Sequence, residues 1–408
     1  MTSGFKTKRR DPNPAMKSVA AAVLTVSLAA ATASAAWTLT PLYTFGGGDD
    51  GDAPYGALVA DKAGTLYGVT DVGGTGQGGT VFSFNPVTGV LTTLYAFTLG
   101  GASGSGPASG VIIDANGILY GTTERGGGGS CAYGCGTVFK LDPATRVLIT
   151  LATFDGAAKG SVPDGLVRYG GQIYGTARYG GYIPAPGYSG YGTIYKVNPN
   201  TKAFTVLHTF NQPGTSDGAS PGTALVPGPD GRLYGVAPNG GPNGPGEVFA
   251  INTTTLAFSI VHGFDYHVDG AAPTGRLLSK GGKLIGTTVA GGPTAASDGV
   301  VYSVDPATGI LTNLYNFQGG LDGSNIQSGV VGGYKGLVLG VTQQGGAAGA
   351  GTVFSVDPVT HAHVVLHAFT ISDGSQPSGE LLLQPNTTFY GVTIGGGRGH
   401  GVIYKITP

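Results

Sequence analysis

Three charged residues recur at nearly constant intervals: Asp71, Glu124 and Arg178 stand 53 and 54 residues apart (124 − 71 and 178 − 124). Two carboxyls and a guanidinium at one place suit work on a bound ligand, one carboxyl as general acid or base and Arg178 gripping an anionic group with two hydrogen bonds. The plainer alternative is a set of solvated loop residues or a surface ion pair. Arg178 also opens a loop, residues 178–192, that carries Tyr179, Tyr182, Tyr188 and Tyr191. Flat amphipathic rings stack on sugars, and they equally pack a long loop onto its own domain. Weaker candidates for ligand contact are Tyr266 and His267, flanked by Asp265 and Asp269, then Gln343, and Arg398 with His400.

Cys131 and Cys135 are the only cysteines, separated by Ala132-Tyr133-Gly134. In an oxidising compartment a disulfide pinning their loop is expected, and two thiols alone do not make a four-ligand zinc site. Asp49-Asp50-Gly51-Asp52 could contribute to a calcium site, yet Asp-Gly recurs at 217–218, 269–270, 322–323 and 373–374, so a turn is the better reading. No metal site and no cofactor are expected. His208, His262 and His367 hold a position filled elsewhere by Tyr43, Tyr95 and Tyr315, which marks them as structural, and His361 and His363 fall by a hairpin.

The elements that must position these residues are written as an internal repeat. Leu-Tyr-Gly or a variant occurs seven times, at 66–68, 119–121, 173–175, 233–235, 284–286, 338–340 and 389–391. A Pro-x-Gly-x-Leu segment precedes it, as at 54–58, 273–277 and 377–381, and Gly-Thr-Val-Phe or a variant follows it, as at 79–82 and 351–354. A fourth segment closes on Phe45, Phe97, Phe154, Phe210, Phe264, Phe317 and Phe369, a period of 54 residues from (369 − 45)/6. Each segment is short, aromatic or β-branched and bounded by turn residues, so each reads as a strand. Asn85-Pro86-Val87-Thr88-Gly89 and Asp305-Pro306-Ala307-Thr308-Gly309 are hairpin turns.

Four strands at this period predict an all-β fold, a seven-bladed β-propeller of four-stranded antiparallel blades. Trp37 to Phe45 is a fourth strand with nothing before it, and the sequence stops at Pro408 after a third. The N-terminal strand is therefore expected to complete the last blade and close the ring. The loops that follow second strands share a face with those that enter first strands, and that face, on blades 1–3, is the expected site.

Lys6, Lys8, Arg9, Arg10 and Lys17, the apolar stretch Val19 to Ala31 and Ala33-Ser34-Ala35 read as a signal peptide over residues 1–35, with Met16 as a possible true start and 36–408 as one propeller domain. A retained anchor is the alternative, disfavoured because the run is shorter than the ~20 residues of a spanning helix. A formal net charge of −1 with 11% charged residues removes the electrostatic footprint of nucleic-acid or anionic-membrane binding. With 78 glycines and 40% hydrophobic residues, the chain is too apolar for disorder and rich in turns.

The ordered set Leu-Tyr-Gly-Thr-Thr, Gly-Gly and Gly-Thr-Val-Phe, over Trp37 to Pro408, resembles the GloVer tandem repeat of bacterial "choice-of-anchor" exported proteins. The resemblance implies export without implying an activity. Such proteins often carry a C-terminal sorting segment; none follows Pro408, so a free secreted or periplasmic monomer is expected. Two functions fit: a binding or scaffold module for a glycan, other extracellular polymer or small-molecule ligand, or a polysaccharide lyase or glycoside hydrolase using the carboxylate, Arg and Tyr groups of the same face.

Overall fold

In every repeat the glycine of Leu-Tyr-Gly lies opposite the aromatic of the next strand. Gly68 pairs with Phe82, and a Cβ at Gly68 would meet the Phe82 ring at 2.5 Å and Leu58 at 2.7 Å. Only glycine leaves room for that ring. The same crossing recurs at Gly121 with Phe139, Gly235 with Phe249 and Gly340 with Phe354. Each such aromatic also meets the closing phenylalanine of the preceding blade at a steep angle, with centroids 5.4 Å apart for Phe97 and Phe139, 5.3 Å for Phe210 and Phe249 and 5.1 Å for Phe369 and Tyr404. These rings are fully buried, so the repeated contact both fills the core and joins neighbouring blades.

The architecture comes from a computed structural model that describes residues 37–408 except 186, 187, 212–215, 295 and 297, together with 1, 2 and 4. The expected signal peptide and Met16 lie outside the described residues. Residues 37–408 form one compact unit. They fold into seven four-stranded antiparallel sheets, with a two-stranded pairing of Gly218–Ala219 with Asn239–Gly240 and two single-turn 3-10 helices. Blade 1 runs Asp52–Ala60, Leu66–Val72, Gln77–Asn85 and Val90–Thr98 from the axis outward. Blades 2 to 6 follow at 111–153, 161–209, 226–263, 271–316 and 331–368.

Blade 7 contains Ser375–Gln384, Thr388–Gly395 and Val402–Thr407, and its fourth strand is Thr38–Thr44 from the other end of the chain. Thr38 pairs with Thr407 and Thr44 with Val402, as the sequence predicts. Phe45 then packs on Phe82 of blade 1 at 5.4 Å, the same contact found between the other blades. Closure is repeated at the axis: Gly56 approaches Gly110 so closely that a Cβ would stand 2.5 Å from its backbone nitrogen, and Gly379 approaches Ala57 in the same way at 2.6 Å.

The inner strands are not regular. In blades 1, 3, 5 and 7 the register shifts between Tyr55 and Val59, Pro163 and Leu166, Thr274 and Leu278, and Ser378 and Leu382. A bulge re-aims side chains beside a site. Here the bulges fall on the Pro-x-Gly segments, and Tyr55, Asp164, Arg276 and Glu380 all line the central cavity.

Candidate functional site

The inner strands surround a cavity of about 470 Å³, inside the range of small-ligand sites. Its polar lining includes Tyr55, Glu124, Asp164, Arg178, Gln343 and Glu380. Arg178 is the penultimate residue of the second strand of blade 3, Gln172–Tyr179, and Glu124 directly follows the second strand of blade 2, Leu119–Thr123. Blades 1 to 3 thus bring a phenol, two carboxyls and a guanidinium to one wall, with Asp71 at the end of Leu66–Val72 interacting electrostatically with Tyr55 and Glu124.

Arg178 does not stand free to grip an anion, as the sequence suggests. Its Nη2 donates to Asp164 Oδ2 at 2.7 Å, with Asp164 held in the bulge of the same blade. Asp71 likewise faces Arg125, with Nη2 to Oδ1 at 3.7 Å, and the same guanidinium is 4.0 Å from Glu124 Oε2. Burial pushes the carboxyls of Asp71, Glu124 and Asp164 upward. Nearby arginines oppose that shift without cancelling it, Arg125 at Asp71 and Arg178 at Glu124 and Asp164. Burial works against the charge of Arg178, but Asp164 and Glu124 outweigh it and keep the guanidinium charged. Across the ring, Arg276 Nη2 pairs with Glu380 Oε2 at 3.0 Å, a link between blades 5 and 7, and the Arg276 backbone N–H donates to Glu380 Oε1.

Of the remaining candidates only Gln343 belongs to this lining. Tyr182 and Tyr191 stack on each other with centroids 6.5 Å apart, and Tyr191 also packs against the core of blades 3 and 4. Tyr188 is exposed, and Tyr179 is half-buried beside Arg178. Tyr266 and His267 are exposed on their own turn, where the His267 N–H donates to Asp265. Arg398 is exposed, and His400 Nδ1 is 3.0 Å from Asp52. Gln343 lines the cavity and accepts from Asn325 Nδ2 at 3.2 Å.

The fourth-strand histidines are structural. His208, His262 and His367 reach Asp217, Asp269 and Asp373 at 2.6, 2.7 and 3.1 Å, just as Tyr43 and Tyr315 donate to Asp50 and Asp322. His363 stacks on Tyr315 at 4.0 Å. Asp49 and Asp50 lie in a turn and Asp52 opens the first strand of blade 1, Asp50 accepting from Tyr43 and Asp52 facing His400, and among the described residues no group of three or more His, Cys, Asp or Glu is placed to hold a metal ion. Cys131 and Cys135 form a disulfide with their Cα atoms 5.2 Å apart.

Tyr55, Asp164, Arg276, Glu380 and Arg125 were not among the candidates read from the sequence. The first four sit at the variable positions of Pro-x-Gly-x-Leu, and a signal was present: that motif carries small or neutral residues at Ala57, Thr274 and Ser378 but an aromatic or a charge at these four.

Fold and cavity together define a closed seven-bladed β-propeller with a polar axial site. The chain belongs to the Gloeobacter/Verrucomicrobia repeat family, which matches it over residues 28–185, 181–297 and 286–408. Against curated proteins the sequence finds no match. Among solved structures, one described as the extracellular domain of a hybrid two component system from B. thetaiotaomicron superposes with a TM-score of 0.59 at 10% identity, covering 90% of this chain and 39% of that one. The chain therefore spans well under half of that domain. An oligogalacturonate lyase from Vibrio parahaemolyticus gives a TM-score of 0.56 at 12% identity over 90% of this chain and 93% of the lyase. At these identities the likeness shows a shared fold and nothing of the chemistry. No helix among the described residues is long and apolar enough to cross a membrane.

Proposed function

We propose that this chain is an exported, monomeric propeller that binds a glycan, with its site at the blade 1–3 wall of the central cavity. The observation that carries the reading is the convergence of Tyr55, Glu124, Asp164 and Arg178, from three separate blades, on one enclosed space. Hydroxyl-rich ligands are held by such groups: carboxylates accept sugar O–H donors, and a ring offers an apolar face. The stacked Tyr182 and Tyr191 stand as a second contact for a longer polymer. Nucleic acid is not a partner in this reading, because the chain carries a net charge of −1 and the cavity arginines are paired with carboxylates.

A glycan array screened with the protein and with Ala108→Trp, which fills the cavity from its lining, tests the proposal. Binding to a defined oligosaccharide that disappears in the filled variant supports it; binding that the filled variant retains contradicts it.

A second reading, a lyase or hydrolase at the same wall, draws on one observation: burial lifts the Glu124 carboxyl above the usual carboxylate range, the direction that suits a general acid. Eliminating across a uronate also needs a cation free to neutralise the carboxylate, and both lining arginines are committed to acids. Absorbance of unsaturated products from uronate polymers reports a lyase and release of new reducing ends reports a hydrolase; a binding module yields neither.

A further inference from the structure

Resting on the reading of this cavity as a glycan site, we propose that its ligand carries a free amine: a cationic amino sugar whose ammonium seats against Glu124. The lining holds three acids, Glu124, Asp164 and Glu380, against two arginines, Arg178 and Arg276. Both arginines are spoken for, Arg178 by Asp164 at 2.7 Å and Arg276 by Glu380 at 3.0 Å. Glu124 is the acid left over. Its ion-pair contact among the described residues is Arg125 at 4.0 Å, and that guanidinium is shared with Asp71 at 3.7 Å. Asp71 Oδ1, in turn, is shielded from solvent and accepts no hydrogen bond among the described residues. The wall therefore has more half-buried carboxylate than cation to meet it.

Three kinds of sugar respond differently to that imbalance. A uronate brings a like charge beside Glu124, and the cations it can reach, Arg178 and Arg276, already carry Asp164 and Glu380 as counter-charges. A neutral sugar gives Glu124 hydrogen bonds without charge. An ammonium supplies the missing cation and a charge-assisted hydrogen bond, which is about twice as strong as a neutral one. Burial pushes both Glu124 and Asp71 upward, and the arginines beside them oppose that push without cancelling it, which leaves room for a further cation to stabilise their charged forms.

Isothermal titration with a glucosamine oligomer, its fully N-acetylated form and a galacturonate oligomer of equal length tests the inference, below neutral pH where the sugar amine is charged. The glucosamine oligomer is expected to bind about tenfold or more tightly than the acetylated one, which corresponds to about 1.4 kcal/mol. Glu124→Gln should shrink that preference to less than about threefold. Equal or tighter binding of the acetylated or galacturonate oligomer, or no binding of the glucosamine oligomer, overturns the amine assignment. If Ala108→Trp still binds as wild type does, the cavity reading itself fails; if it abolishes binding of a neutral or anionic oligomer, the cavity stands and only the amine is wrong.

Discussion

At the end of the second strand, blades 1 to 3 carry Asp71, Glu124 and Arg178, whereas blades 4 to 7 carry Pro238, Val289, Gln343 and Ile394 at the same register. The backbones on the two sides are near copies, with the same glycine-on-aromatic crossing at Gly68 and at Gly340. At this register the difference lies in the side chains. A repeat fold holds its core positions to a narrow choice because each blade packs on the next, while the loop-facing positions are free to diverge. Chemistry is therefore to be sought where one sector departs from the others.

Blade 4 departs in a second way that sharpens the contrast. Where blades 1, 2 and 6 bridge the second and third strands by threonine hydroxyls, Thr70 to Thr80, Thr123 to Thr137 and Thr342 to Thr352 at 2.9 Å, blade 4 pairs Ala237 with Glu247. Glu247 is fully buried, and burial raises its carboxyl to about 7, against a weaker opposite pull from the Gly218 N–H. Because the folded chain keeps this proton where the unfolded chain has lost it, the stabilising protonated form is fully present below about pH 4.5 and is lost as pH rises through about 7. Over that window Glu247 should cost roughly 3 kcal/mol of stability. Chemical denaturation across the window should show that fall in the wild type and a flatter profile in Glu247→Gln; identical profiles would remove blade 4 as a special sector.

A smaller effect separates the two ion pairs of the cavity. Arg178→Ala leaves Asp164 buried without its partner, and a loss of about 2 kcal/mol is expected, reduced for solvent because the Arg178 side chain is 37% exposed. Arg276→Ala removes a pair whose arginine is 49% exposed, and less than about 1 kcal/mol is expected. Equal shifts in thermal unfolding would erase this distinction between the two walls.

The fold was legible because its causes repeat. A glycine that makes room for a ring, and a phenylalanine that strikes that ring from the next blade, must recur wherever the geometry recurs, so the period and the closing strand could be read directly. Glu124 and Arg178 were legible as breaks in that period. Their partners were not. The charge at Asp164 stood out within its Pro-x-Gly segment, but its meeting with Arg178 depends on the register shift between Pro163 and Leu166, and no residue type announces where that bulge aims a side chain. The four tyrosines of the long loop drew attention by number, yet Tyr191 serves packing, and none of the four lines the cavity.

The smallest expected difference is in ligand affinity. Tyr55→Ala on the blade 1 wall should weaken binding of a captured oligosaccharide about tenfold, whereas Gln343→Ala in blade 6, whose amide already accepts from Asn325, should weaken it about threefold at most. Titration of the two variants with the same oligosaccharide checks the ranking, and a larger loss at Gln343 would move the site to the other wall.

Crystallography of the protein with a bound oligosaccharide addresses the location of the site without any intermediate inference. Ligand density inside the cavity, in contact with Tyr55, Glu124 and Asp164, is the expected result. Density seated only on the stacked Tyr182 and Tyr191, or at the hairpins near Asn85 and Asp305, with the cavity empty, would contradict it.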